Sequence, residues 1–183
     1  MYWEGRKAGQ EIRKKARARR LSGTASASAG TQRQDIPGHC IKVRVIRSRG
    51  SVTAMIRVVA GIIEQDGRVL ICQRQACKIF GGKWEFPGGK MRPSETPREA
   101  LERELREELG AATKIGDLLQ IVRHRYVEMS TAVHISFLAA TLEGAPRNLA
   151  FQRIVWARRA ELPRYDFLAA DRGVTARLVR GEI

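Results

Sequence analysis

The chain has 183 residues, enough to bury a single core, and a formal net charge of +15 that is spread unevenly. Residues 1–54 hold 13 Lys and Arg against three acidic residues, a net charge of +10, whereas the rest of the chain carries +5. No run of 18 apolar residues exists, so the composition excludes a membrane-spanning helix. Cys40, Cys72 and Cys77 lack zinc-ligand spacing and are consistent with reduced thiols in a cytoplasmic protein.

Residues 1–54 are predicted to form a basic, disordered extension. A dense basic run at Arg6–Arg20 is followed by a linker-like stretch of small residues at Ser22–Gly30. Three interpretations stay open: an arm that contacts nucleic acid weakly, an Arg- and Ser-rich organellar presequence, or a start upstream of the working protein. We favour the last, because a compact domain begins naturally at Met55. The alternating residues Ile41–Val45 favour a short strand.

The compact domain is predicted to open with a β-hairpin. Ile56–Glu64 is β-branched and apolar, as in a buried strand, and Arg68–Arg74 is predicted to return beside it. Gln65-Asp66-Gly67 supplies the turn between them. Cys72 lies in an apolar run and is expected in the core. After a loop, Trp84–Phe86 is predicted to form a short strand.

A well-marked helix follows. Thr96 is a good N-cap residue, Pro97 suits the first helical position, and Glu99 completes a capping box with Thr96. Gly110 supplies the C-terminal stop. One apolar stripe, which would face the core, is made of Leu101, Leu105 and Leu109.

The same helix carries three carboxylates on one narrow arc: Glu104, Glu107 and Glu108. Carboxylates this close repel one another, and the helix gains no stability from gathering them. A divalent cation such as Mg²⁺ resolves the conflict, because it takes carboxylate, water and phosphate oxygens as ligands. The alternative interpretation is an ordinary acidic helix surface.

The spacing around these carboxylates decides between the two. From Gly89 to Ala111 the sequence fits the pattern G-x5-E-x7-R-E-U-x-E-E-x-G-U at each fixed position. This stretch resembles the Nudix box, and the preceding segment Trp84–Lys90 resembles the MutT-like branch of that superfamily. The resemblance implies a hydrolase that splits a nucleoside diphosphate linked to another group, with Mg²⁺ as cofactor and Mn²⁺ as a substitute.

The resemblance also assigns roles within the site. It implies that the metal ligands are Glu104, Glu107, Glu108 and the carbonyl of Gly88. Glu104 alternatively serves as the base that activates water, and Arg103 would orient it. Glu95 would hold Arg103 from the loop, with Gly89 as a second supporting residue. These carboxylates together with Arg103 form the predicted catalytic set.

The predicted substrate-binding residues are Arg74, Lys90 and Asp171. Arg74 ends the second strand, where MutT-like enzymes place an arginine near the nucleobase; the alternative is a solvated strand-end arginine. The resemblance places Asp171 at a position that faces the base. A carboxylate there accepts hydrogen bonds from amino or ring N–H groups. The alternative for Asp171 is a carboxylate favoured by a helix N-terminus.

The sequence departs from the MutT-like pattern in two places. Ala150 stands where the branch carries a glutamate that supplies a further ligand or base, although Gln152 matches. Glu143 is too far upstream for direct replacement, but a loop could bring it near. Leu168-Ala169 replaces the usual Pro-Pro.

The elements predicted after the first helix are strands at Asp117–Tyr126, Ala132–Leu142 and Asn148–Trp156, a turn at Glu161–Pro163 and a helix at Leu168–Val179.

The sequence therefore predicts an α/β protein, in which residues 55–183 form a Nudix hydrolase domain with an α/β/α sandwich and a mixed sheet. The expected activity is Mg²⁺-dependent hydrolysis of a nucleoside triphosphate to a monophosphate and pyrophosphate. Oxidised nucleotides such as 8-oxo-dGTP, in nucleotide pool sanitation and DNA repair, or cytidine-type triphosphates are the family expectation. Two alternatives are hydrolysis of a nucleotide sugar or dinucleotide, and a low-turnover protein that binds nucleic acid. The oligomeric state stays open.

Overall fold

The computed structural model describes residues 55–129 and 131–183, so the predicted extension and the strand at Ile41–Val45 lie outside the described residues. The strands are β1 (Met55–Gln65), β2 (Arg68–Gln73), β3 (Trp84–Glu85), β4 (Gly88–Lys90), β5 (Ala112–Tyr126), β6 (Thr131–Glu143) and β7 (Arg153–Arg158). The helices are α1 (Pro97–Leu109) and α2 (Arg172–Arg180), with a 3₁₀ turn at Arg159–Arg164 before α2.

The sheet is mixed and is organised around β1. This strand pairs in parallel with β6 and antiparallel with β2 and β4. On one side β5 pairs with β6, and on the other β3 and β7 both pair with β2. The order along the main path is β3-β2-β1-β6-β5. The predicted mixed sheet is therefore confirmed.

Side chains on β1 alternate between two cores, because successive residues of a strand point to opposite faces. Val59 and Ile63 pack in the core that contains the apolar stripe of α1. Ala60 and Ile62 pack in the core that contains Val174 and Leu178 of α2. The sheet thus separates the two helices, which confirms the predicted α/β/α sandwich.

The hairpin and the first helix form as their sequences predict. Asp66 and Gly67 have φ values of +51° and +69°, the pattern of a two-residue turn that matches strand twist. In α1 the Thr96 hydroxyl accepts from the Glu99 amide, and the Glu99 side chain accepts from the Thr96 amide, so the capping box is present. The three leucines of the apolar stripe are completely buried.

Several predicted boundaries were wrong. The strand β5 starts five residues before the predicted Asp117, because its N-terminal part pairs with the end of β6 through two register shifts. The last helix begins at Arg172 and not at Leu168, since the Asp171 amide donates to the Leu168 carbonyl in a turn. Asn148 also closes a turn on Phe151, so β7 begins only at Arg153.

Cys72 is buried in the core, as its apolar neighbours predict. Within residues 55–129 and 131–183, neither helix has the length and apolar character needed to span a bilayer.

Candidate active site

Arg103 of α1 holds the acidic residues of the site in place. Its guanidinium donates two hydrogen bonds to Glu95, with N···O distances of 2.6 and 2.8 Å, and one of 2.7 Å to Glu104. Glu107, one turn further on, lies 3.6 Å away. Nη2, one of the two nitrogens that donate to Glu95, also donates to the Lys90 carbonyl at 3.2 Å. Only 14% of the Arg103 side chain is exposed, so its orientation is fixed by these contacts.

Glu95 is the anchor of Arg103 in the loop between β4 and α1. The hydrogen bonds from Arg103, and a further one from the Arg92 amide, lower the pKa of Glu95 to about 2. The same partnership raises the pKa of Arg103 above its ordinary value. Both groups therefore stay charged across the working pH range of an enzyme. These contacts are compatible with the predicted roles of Glu95 and Arg103, which stay predictions.

Two glycines allow β4 to approach α1. Gly88 has a φ of +146°, and a Cβ atom there would lie 2.2 Å from the Val59 carbonyl oxygen. A Cβ atom on Gly89 would lie 2.5 Å from the carboxylate carbon of Glu104. Side chains at these two positions would therefore displace either the strand or the carboxylate. The Gly88 amide donates to Glu108 at 3.0 Å.

Glu108 lies on the same arc of α1 and has a raised pKa. Burial raises its pKa to about 8; the hydrogen bond from the Gly88 amide opposes this, and the negative charges of Glu85 and Glu104 add to it. A carboxylate in this environment gains from a cation nearby, because the cation offsets both desolvation and repulsion.

The donor set fits a hard divalent cation. It consists of carboxylates crowded on one helix turn beside a glycine strand whose missing side chains leave room next to Glu104. As they stand, the described residues contain no group of three His, Cys, Asp or Glu side chains placed to hold a metal. One oxygen of each carboxylate is already engaged, Glu104 Oε1 by Arg103 and Glu108 Oε2 by the Gly88 amide. The second oxygen of each has no hydrogen bond with a described residue, and these are the oxygens that would bind a cation.

A second charged cluster lies where β2 and β3 end. Arg74 donates to Glu85 at 2.6 Å and to the Ile79 carbonyl at 3.0 Å, so it is an anchored residue and not a solvated strand end. Burial raises the pKa of Glu85, and Arg74 opposes this.

Asp171 is 4% exposed and belongs to the same electrostatic cluster. Burial raises its pKa well above the ordinary value, Glu85 adds to the rise, and the Phe86 amide and Arg74 oppose it. Asp171 occupies the N-cap position of α2, but its side chain makes no cap hydrogen bond. This position is the one that the helix-dipole alternative requires, and the dipole acts on a charge without a hydrogen bond, so both interpretations of Asp171 stay open.

Glu85 was missed from the sequence. The signal was an acidic residue between Trp84 and Phe86, both of which are buried. Lys90 contributes its carbonyl to Arg103, while its exposed side chain has no hydrogen bond or ion pair with any described residue. Substrate binding by Lys90 stays a prediction.

Ala150 has no replacement carboxylate from Glu143. Glu143 ends β6 and lies 3.5 Å from Lys114 on the neighbouring strand. Ala150 packs against the core on the α1 side, and its carbonyl accepts from Gln75 at 3.1 Å. The additional carboxylate that lies near Glu108 is Glu85, from another part of the chain.

Comparison with known proteins places this chain in a family. The family model described as "NUDIX domain" matches residues 54–178. The CTP pyrophosphohydrolase of Escherichia coli is 38% identical over 118 residues, which cover 64% of this chain and 86% of that protein. A Mycobacterium tuberculosis protein named putative 8-oxo-dGTP diphosphatase 2 is 39% identical over 126 residues, covering 67% of this chain and 87% of the relative.

Two solved structures have a fold similar to that of this chain. The solution structure of the E. coli ORF135 protein has a TM-score of 0.60 at 36% identity, covering 67% of this chain and 86% of that one. The MutT NUDIX hydrolase from Burkholderia pseudomallei has a TM-score of 0.62 at 27% identity, covering 67% and 97%.

Proposed function

The chain belongs to the Nudix family, in its MutT-like branch, and from this premise we propose that it is a Mg²⁺-dependent nucleoside triphosphate pyrophosphohydrolase. It is a hydrolase of phosphoric anhydrides in nucleotides. The proposed reaction adds one water to a nucleoside triphosphate and yields a monophosphate and pyrophosphate. A protein named 8-oxo-dGTP diphosphatase, from Proteus vulgaris, is a further relative at 39% identity over 87 residues.

The observation that supports this proposal is the chain of contacts from Glu95 through Arg103 to Glu104. It fixes one carboxylate against the glycine strand, within the arc that also holds Glu107 and Glu108. An enzyme that attacks an anionic phosphoanhydride needs such a preorganised set of charges. A surface helix does not need an arginine that is 14% exposed to organise its acids.

The acidic residues and Arg103 have separate proposed roles in the reaction. Glu104, Glu107, Glu108 and the Gly88 carbonyl would hold Mg²⁺, which when bound neutralises phosphate charge and orients the anhydride. Arg103 keeps Glu104 pointed at Gly89, where it is either a ligand or the base that takes the proton of the attacking water. Glu95 keeps Arg103 in place throughout the reaction.

The base end of the substrate is assigned to Asp171, with Arg74 and Glu85 setting its electrostatics. An aspartate accepts from the exocyclic amino group of cytosine, so this residue favours cytidine-type triphosphates. The E. coli relative is named for CTP. The relatives named for 8-oxo-dGTP support an oxidised purine nucleotide as the other candidate.

The test is a screen of canonical and oxidised nucleoside triphosphates with Mg²⁺, comparing wild type with Glu107→Gln. We expect pyrophosphate release in the wild type and a loss of at least about 100-fold in kcat for the variant, the scale of a lost charged group in a catalytic site. Glu102→Gln is the matched control, because it removes the same charge from an exposed position of α1 whose ion-pair partner among the described residues is Arg106. Equal rates for Glu107→Gln and wild type would show that the assigned site is wrong.

A further inference from the structure

Arg92 reaches the acidic arc of α1 from the loop that follows β4. Its backbone amide donates to Glu95 at 2.8 Å, which fixes this part of the loop beside the site. Its guanidinium lies 3.5 Å from Glu107 Oε1 and 3.9 Å from Glu95 Oε1. Two arginines therefore share the carboxylates of the site, Arg103 from within the helix and Arg92 from outside it.

The two arginines are held very differently. Arg103 is 14% exposed and makes short contacts with both Glu95 and Glu104. The Arg92 side chain is 62% exposed, and its partner Glu107 is 54% exposed. An exposed pair at this separation is screened by water and is easily broken. The Arg92 guanidinium can thus leave Glu107 while its backbone stays anchored to Glu95.

We propose that Arg92 is a substrate-binding residue that competes with the divalent cation for Glu107 and, once displaced, pairs with the substrate's phosphates. This inference rests on the proposed function. A guanidinium and a hard cation both neutralise the charge of Glu107, and two positive charges beside one carboxylate repel each other, so each weakens the binding of the other. A guanidinium released beside a pyrophosphate group meets an acceptor that suits its planar fork of N–H donors. Arg92 then contributes to nucleotide affinity and slightly weakens metal affinity.

The chain offers a matched control on the same helix. Arg106 lies 2.6 Å from Glu102, with side-chain exposures of 61% and 48%, close to those of the Arg92 pair. That pair lies outside the contacts of Arg103 and Glu104. Arg106→Ala therefore removes an equivalent surface charge without touching the site.

The experiment titrates full-length protein with Mn²⁺ in the absence of nucleotide, by calorimetry or by the electron spin resonance of free Mn²⁺. For Arg92→Ala we expect the Kd for Mn²⁺ to fall about two- to fivefold, the range for an exposed ion pair. In steady-state kinetics the KM for the nucleotide should rise about tenfold, as for a lost charged hydrogen bond. Arg106→Ala should change neither quantity. Arg92→Lys should restore the Mn²⁺ affinity of wild type but only part of the KM.

An unchanged Mn²⁺ affinity in Arg92→Ala, or an equal gain in Arg106→Ala, overturns the proposal. A KM that does not rise also overturns it, because the displaced guanidinium would then have no phosphate partner. Glu107→Gln separates this failure from failure of the proposed function. If that variant loses Mn²⁺ binding while Arg92→Ala matches wild type, only the role of Arg92 is wrong. If it binds Mn²⁺ and hydrolyses nucleotide normally, the site itself is wrong.

Discussion

The side chain of Asp171 is buried beside two charged groups, Arg74 and Glu85, that come from the ends of different strands. A buried carboxylate without a cap hydrogen bond costs stability unless a ligand or neighbour compensates. Burial favours the protonated form of Asp171 in the free protein, and a nucleobase that offers N–H donors would compensate by favouring the ionised carboxylate, which accepts from them.

Exchange of Asp171 for Asn should therefore change which nucleotides are preferred. The amide replaces one acceptor by a donor, so we expect the ratio of kcat/KM for CTP over an oxidised purine triphosphate to shift by about tenfold or more. The measurement is a panel of nucleotides with both proteins. Asp166→Asn is the control, since Asp166 is exposed and pairs with Lys83 and Arg172. An unchanged ranking would remove Asp171 from the base pocket.

Glu108 gives the molecule a pH-dependent stability. Its pKa in the folded protein is about 8, above the ordinary 4.5, so folding favours its protonated form. The stabilisation is complete below the ordinary pKa and is lost as pH rises from there through about 8.

In the presence of a metal chelator, we therefore expect the Tm of wild type to decrease from pH 5 to pH 9 by more than the Tm of Glu108→Gln does. Added Mg²⁺ should raise the Tm of wild type more at pH 9 than at pH 6, because the cation binds the ionised carboxylate. Thermal denaturation across this pH range measures both effects. Parallel pH profiles for the two proteins would contradict the assignment.

At the scale of elements, α1 and α2 show what local sequence can predict. The bounds of α1 follow from Thr96, Pro97 and Gly110, because each acts on backbone groups within a few residues. The predicted start of α2 was wrong. Leu168 favours a helix locally, but its backbone is bound to a residue that is distant in the sequence. Its amide donates to the Trp84 carbonyl at 2.8 Å, which fixes the chain in a parallel bridge beside β3.

The same distinction separates the predicted and missed parts of the site. Glu95, Arg103 and Glu104 lie within one loop and one helix, so the contacts between them could be predicted from their spacing in the sequence. Glu85 joins the site only because β3 pairs with β2 at Cys72, which no local pattern around Glu85 indicates. The pairing of β4 with β1 was missed for the same reason.

The strand β4 yields a pair of substitutions with opposite outcomes. In Gly88→Ala the new methyl group meets the Val59 backbone, which cannot move aside, and the φ of +146° adds strain. We expect a loss of about 2–3 kcal/mol in the free energy of unfolding. In Gly89→Ala the obstacle is the end of the Glu104 side chain, which can turn away. That variant should keep most of its stability and lose activity.

Denaturant unfolding and pyrophosphate release distinguish the two variants. Gly173→Ala is the control, because no atom lies within 4 Å of the added Cβ and helix α2 accepts alanine. It should be as stable as wild type or slightly more stable. Equal stability losses for Gly88→Ala and Gly89→Ala would mean that Glu104 does not adapt, and full activity in Gly89→Ala would mean that its position is not required.

For the whole molecule, charge and catalysis are assigned to different parts of the chain. Residues 1–54 carry +10, whereas the remainder, which contains all the assigned site residues, carries only +5. The family match begins at residue 54, so the basic segment lies almost entirely outside it. A cationic segment of this density attracts nucleic acid through counterion release, independently of sequence.

A protein that comprises residues 55–183 should therefore hydrolyse nucleotides with the kcat and KM of the full chain, within about twofold, because the ligand and base-end assignments all lie within it. The full chain should bind random oligonucleotides with an affinity that falls steeply as salt rises, and the shorter protein should lose most of this binding. Fluorescence anisotropy at several salt concentrations measures the second effect, and the nucleotide assay measures the first. Loss of hydrolysis on truncation would place part of the active site in residues 1–54. Equal oligonucleotide binding by both proteins would assign that binding to the Nudix domain.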